Sequence, residues 1–122
     1  MKKNIVLLDD DLMSLRSLAN TLKEWGYNTT CFQDYDQRFV THDFSDTYCC
    51  IVDYNLNITD GIHVLSFLKK KYPELKAILI SGYLINEEIL RKNRNKYDLF
   101  LAKPINIMQL NEKLLQINKE EL

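Results

Sequence analysis

Three aspartates, Asp9, Asp10 and Asp11, directly follow an unbroken apolar run. A fourth, Asp53, closes a second such run; Ser81-Gly82 closes a third, and Lys103-Pro104 follows a fourth. Each group alone has a plain explanation: charges at a helix start, a turn residue, a common loop. Brought together they would do chemistry. Three carboxylates (Asp9, Asp10, Asp53) held close repel one another and need a cation or raised pKa values. The available donors are hard oxygens, which select Mg²⁺. A carboxylate, a divalent cation, a lysine and a hydroxyl then form a site for a phosphoryl group. The cation and Lys103 would neutralise its equatorial oxygens, Ser81 would offer a hydrogen bond, and a carboxylate would attack in line.

The elements that must position these residues are legible as alternating patterns. Asn4 to Leu8, Tyr48 to Val52 and Ala77 to Ile80 read as strands that are apolar or Cys at almost every position. Asn28 to Phe32 is a weaker, edge-type strand, and Tyr97 to Ala102 a fifth. Between them, Leu12, Leu15, Leu18, Ala19, Leu22 and Trp25 recur at helical spacing up to Gly26. Tyr35 to about Asp43 reads as a short helix. Asp60 caps a helix carrying Ile62, Leu65 and Leu68 that stops at Tyr72-Pro73. Asn86 caps a short charged helix, and Asn106 caps a last one with Ile107, Leu110, Leu114 and Ile117 on one face. Strands apolar throughout are buried on both faces, as in a parallel sheet covered by helices. Five strands alternating with five helices, joined by right-handed crossovers, predict a flavodoxin-like doubly wound (βα)5 fold of strand order 2-1-3-4-5. Ligands of such sheets bind beyond the carboxyl ends of the strands, where all four polar groups fall.

Composition bounds the rest. The 122 residues carry 16 Lys+Arg against 17 Asp+Glu, a formal net charge of -1. That argues for one globular domain over residues 1–122 and against a dedicated nucleic-acid binder, which needs a basic face. No apolar run reaches the length of a membrane span, and Met1-Lys2-Lys3-Asn4 is not the start of a signal peptide. Cys31, Cys49 and Cys50 form no C-x-x-C pair and are expected as free, mostly buried thiols in a reducing cytoplasm; with only His42 and His63 beside them, a zinc site is not expected.

The chain resembles, over its whole length, the receiver domain of two-component response regulators. The resemblance rests on L-L-D-D-D (Leu7 to Asp11), V-D-Y-N-L-N-I-T-D-G (Val52 to Gly61), I-S-G-Y (Ile80 to Tyr83) and F-L-A-K-P (Phe100 to Pro104). It implies that Asp53 is the phosphoacceptor, taking its group from a phosphohistidine on a histidine kinase or a histidine phosphotransfer protein. It implies Mg²⁺ bound by Asp10, Asp53 and the backbone carbonyl of Asn55, with Asp9 acting through a water. Lys103 would pair with one phosphoryl oxygen and Ser81 with another. The Lys103-Pro104 bond would be cis. Ser81 would move toward the phosphoryl group and Phe100 would swing inward, altering the face made by the fourth helix, fifth strand and fifth helix. Asp11 reads as a helix-start residue rather than a ligand. Two departures stand out: Asn57 where the family often has proline, and a bulky Tyr83, which with Asn55 should tune loss of the acyl phosphate.

The function so implied is a signalling switch with no enzymatic role beyond its own phosphorylation and dephosphorylation. It would act on a downstream protein or a fused output domain, and homodimerisation through the same face is a further expectation. No output domain follows within the chain. The competing readings are a pseudo-receiver that binds proteins without phosphorylation, and a small Mg²⁺ phosphatase with an Asp9-x-Asp11 nucleophile motif, for which 122 residues leave no cap. The basic run Arg91, Lys92, Arg94 and Lys96 reads as a solvated helix face, with partner docking as its alternative.

Overall fold

The computed structural model describes residues 3–82 and 85–120, the last three without their side chains. Its elements are β1 (Asn4–Leu8), α1 (Leu12–Glu24), β2 (Asn28–Phe32), α2 (Gln37–Thr41), β3 (Thr47–Asp53), α3 (Gly61–Lys71), β4 (Lys76–Ser81), α4 (Glu87–Lys92), β5 (Leu99–Ala102) and α5 (Ile107–Glu120). A single 3-10 turn covers Arg94–Lys96. The strands form one parallel sheet of order β2-β1-β3-β4-β5, as the sequence predicts.

The unbroken apolar runs are explained by burial on two faces, with period-2 alternation dividing each strand between them. Ile5, Leu7, Cys49 and Ile51 face one side, where they pack with Leu15, Leu18 and Leu22 of α1 and Leu110, Leu114 and Ile117 of α5. Val6, Leu8, Cys50 and Val52 face the other, against Val64, Leu65 and Leu68 of α3. The Tyr48 hydroxyl donates to the Leu114 carbonyl and ties α5 to the sheet. On the α3 side, Phe32, Phe39, His42 and Phe44 meet edge to face.

Several boundaries differ from the sequence expectation, each for a local reason. The second helix is shorter than Tyr35 to Asp43, because Asp36 caps it by accepting from the Arg38 and Phe39 amides. The fifth strand starts at Leu99 rather than Tyr97. The Asp98 carboxylate instead accepts from the Ala77 amide at 2.7 Å and pairs with Lys69 at 2.8 Å. Cys49 and Cys50 are buried, but Cys31 is exposed, since it stands on the edge strand β2. The basic run is split between α4 and the 3-10 turn.

The predicted caps are in place. Asp11 accepts from the Met13 and Ser14 amides, Asp60 from His63, Asn86 from Glu88, and Asn106 from Gln109. Gly26 ends the α1 turn with φ +94°, a left-handed conformation that glycine adopts without steric cost. Among the described residues, no helix is long and apolar enough to cross a membrane.

Candidate functional site

The carboxyl ends of β1, β3 and β4 and the residue just beyond β5 bring Asp9, Asp10, Asp53, Ser81 and Lys103 to one edge of the sheet. Asp9 follows β1 and is held by its amide on the Phe32 carbonyl at 3.1 Å. Its Oδ1 accepts from the Asp11 amide at 2.9 Å and its Oδ2 from Lys103 Nζ at 2.8 Å. Asp53 ends β3; its Oδ1 accepts from the Asn55 amide at 3.0 Å and its Oδ2 from Lys103 Nζ at 2.8 Å. Asp9 and Asp53 are each 4% exposed. Lys103 therefore bridges two nearly buried carboxylates.

Asp10 is only half-buried, and its backbone carbonyl accepts from Gln33 Nε2 at 3.3 Å. Carboxylate oxygens of Asp9, Asp10 and Asp53 lie within 4.8 Å of one another. An all-oxygen donor set at that spacing, open on the Asp10 side, fits a small hard cation such as Mg²⁺. Asp11 is exposed and engaged in capping α1, so its side chain stands apart from this group.

Electrostatics follow from burial. Removal from water pushes the Asp9 carboxyl above its ordinary value; Lys103 and the Asp11 amide oppose this, and the Asp53 charge adds to it. Burial and the neighbouring Asp9 charge push Asp10 up as well. For Lys103, burial works against the ammonium, but its bonds to Asp53 and Asp9 outweigh that and hold its pKa above the usual lysine value. The cluster thus carries negative charge that one lysine only partly offsets.

Ser81 ends β4, is 1% exposed, and accepts at Oγ from Asn55 Nδ2 at 3.2 Å. Its carbonyl accepts from the Lys103 amide at 2.8 Å, which ties the β4 end to the loop that carries the lysine. The Lys103-Pro104 peptide is cis, as the resemblance implied. Phe100 is half-buried on β5, opposite Leu79, and packs against the α3-side core. Tyr83 lies outside the described residues.

A cleft of about 490 Å³ opens over the carboxylates, lined by Asp10, Asp53, Asn55, Leu56, Gly82 and Lys103 among others. A larger one of about 740 Å³ runs beside it along α1 toward Pro104 and Ile107, and shares Lys103 and Gly82 with the first. The loop after β3 is closed without proline at position 57. Asn55 and Asp60 form an isolated antiparallel bridge, and the Gly61 amide donates to the Tyr54 carbonyl at 2.8 Å.

One residue, Gln33, and particular contacts of two others, Asn55 and Gly61, are not marked in the sequence. Gln33 belongs to a loop with no chemical motif, so no signal marked it. For Asn55 the resemblance implies a metal-binding carbonyl and a part in tuning loss of the acyl phosphate, but not the side-chain bond to Ser81. Gly61 stands against the Asp53 peptide, where a β carbon would lie 2.5 Å from the Asp53 carbonyl oxygen. The sequence shows Gly61 as the residue that closes the Val52-to-Gly61 motif, without the backbone it stands against.

Comparison with known proteins supports this architecture. An NtrX-like response regulator of Rickettsia typhi is 32% identical over 118 residues, 93% of this chain but 24% of that protein. The nitrogen assimilation regulatory protein NtrX of Azorhizobium caulinodans is 26% identical over 113 residues, 90% of this chain and 25% of that protein. The chain therefore spans about a quarter of the length of these relatives. Among solved structures, a CheY-like response regulator receiver domain protein of Methanospirillum hungatei JF-1 superposes with a TM-score of 0.81 at 25% identity, covering 98% of this chain and 99% of that one. The family model of the response regulator receiver domain matches residues 5–115, which contain all five strands but for Asn4 together with the whole acidic edge, and the chain belongs to that family.

Proposed function

We propose that this domain is a phosphoacceptor switch in which Asp53 is the acceptor. The observation that carries the reading is the Lys103 bridge: one ammonium 2.8 Å from both Asp9 and Asp53, facing a cleft open to solvent. The donor is a phosphohistidine on a sensor histidine kinase or a histidine phosphotransfer protein. An Asp53 carboxylate oxygen forms a bond to phosphorus while the phosphorus–nitrogen bond of the donor breaks, and its electron pair leaves on the imidazole nitrogen.

Asp10, Asp53 and the Asn55 carbonyl would hold Mg²⁺ directly, with Asp9 acting through a water. Bound there, the ion supplies charge neutralisation at the phosphoryl oxygens. Lys103 contributes the second positive charge, shifting from carboxylate to phosphoryl oxygen without leaving the cleft. Ser81 hydrogen-bonds a further phosphoryl oxygen, and its displacement gives Phe100 room to turn inward. The face built by α4, β5 and α5 then changes shape. A downstream protein, a fused output domain or a second copy of this chain reads that change; sizing of the phosphorylated and unphosphorylated forms separates the last case, in which only the phosphorylated form elutes as a dimer.

The test is intact mass after incubation with acetyl phosphate, with and without Mg²⁺. One phosphoryl group gained only with Mg²⁺, and lost in Asp53→Asn, is the expected result. No gain by the wild type, with Mg²⁺ binding established separately, would overturn it.

A further inference from the structure

Ser81 sits directly beneath the acidic cleft, yet it does not line it. It is 1% exposed, and the residue standing at the wall in its place is Asn55. The Asn55 backbone amide is fixed on Asp53 Oδ1 at 3.0 Å, which anchors the residue, and its carboxamide donates to Ser81 Oγ at 3.2 Å. The Ser81 hydroxyl is thus tied, as acceptor, to a side chain at the cleft wall, and any shift of Oγ toward a phosphoryl oxygen on Asp53 has to strain or break that bond. Resting on the phosphoacceptor reading above, we propose that the Asn55 carboxamide is a gate over the switch hydroxyl: the Asn55–Ser81 bond holds Ser81 in its resting place and must yield before Ser81 can engage a phosphorylated Asp53.

The gate lies within the chain's own side chains and works against activation. Its bond counts only in the resting state, so removing it favours the loaded state by the net worth of one partly buried hydrogen bond, on the order of threefold to tenfold in an equilibrium. Alanine at position 55 keeps the backbone amide on Asp53, so the anchor and the loop survive. Asn55 is a positioning residue in this account, acting through Ser81.

A double-mutant cycle tests it, with Mg²⁺ and beryllofluoride as the phosphoryl mimic and binding followed by titration and by amide NMR. Asn55→Ala is expected to bind the mimic about threefold or more tightly than wild type. In the Ser81→Ala background the same change is expected to do nothing, because the hydroxyl it restrains is gone. The Gly82 amide resonance of unliganded Asn55→Ala should also lie between the free and loaded positions of the wild type. An equal effect of Asn55→Ala in both backgrounds, or weaker binding with Ser81 present, would overturn the gate while leaving the phosphoacceptor reading intact. Wild-type protein that fails to bind the mimic, or binding that survives Asp53→Ala, would overturn both.

Discussion

Gly61 and Asp53 are in contact through their backbones: a β carbon on Gly61 would stand 2.5 Å from the Asp53 carbonyl oxygen and 2.9 Å from the Tyr54 α carbon. Neither obstacle is the end of a flexible side chain, so α3 and β3 would have to separate. Gly61→Ala is expected to lower stability by about 1–3 kcal/mol, as overpacking does. It should also slow phosphorylation by acetyl phosphate, because Asp53 moves with its own peptide. Denaturant unfolding together with labelling rate checks this; wild-type values for both would refute the packing argument.

Lys103 bonds Asp53, which Mg²⁺ would ligate directly, and Asp9, which it would reach through a water, so lysine and cation would compete. Lys103→Ala is therefore expected to bind Mg²⁺ more tightly, by roughly tenfold if about 1.5 kcal/mol of charge-assisted bonding is no longer displaced. Phosphorylation should fall at the same time, since the second positive charge at the phosphoryl group is lost. Calorimetric titration with Mg²⁺ and mass-detected labelling read the two effects separately. Parallel losses in both would mean that the lysine supports the metal instead of opposing it.

Asp9 and Asp10 are pushed above the ordinary carboxyl value of 3.8, chiefly by burial. The folded state then binds more protons than the unfolded state between that value and the raised ones. Stability contributed by these two groups accordingly falls as pH rises through that window, opposite in sign to the usual salt-bridged carboxylate. Mg²⁺ affinity should climb over the same interval, because the cation requires the ionised forms. Unfolding midpoints across mildly acid pH, with Asp9→Asn and Asp10→Asn as controls, should show the slope and its reduction in each mutant.

Thiol chemistry offers a check on the fold. Cys31 is exposed on β2, whereas Cys49 and Cys50 are buried in β3, and burial pushes the Cys50 thiol far up. Burial also raises Cys31, so its labelling should be slow at neutral pH and faster in alkali. One equivalent of a maleimide should react with the native protein and three after denaturation. Native labelling at Cys49 or Cys50 would contradict the placement of β3 in the centre of the sheet.

The sheet was legible because its central strands are buried on both faces and leave uninterrupted apolar runs. The polar residues of the acidic edge were legible because each of their four groups closes or follows an apolar run. What did not show was anything settled by contacts distant in sequence. The β5 start at Leu99 depends on Asp98 capturing the Ala77 amide, and the exposure of Cys31 on β2 having a neighbour on one side only. The Asn55 carboxamide on Ser81 joins the loop after β3 to the end of β4, 26 residues away. Composition and periodicity carry no record of such a pairing. Gly61 is the intermediate case, since its residue type is visible but the backbone it must admit is not.

Lys103 reaches from the loop after β5 past β4 to the ends of β3 and β1, spanning 50 and 94 residues of sequence with one ammonium group. In mechanical terms it is a stay that moors the edge of the sheet to its centre. Drawing that ammonium away from Asp9 and Asp53 would unmoor the β5 loop from the two central strands, while the Lys103 amide on the Ser81 carbonyl would still tie it to β4.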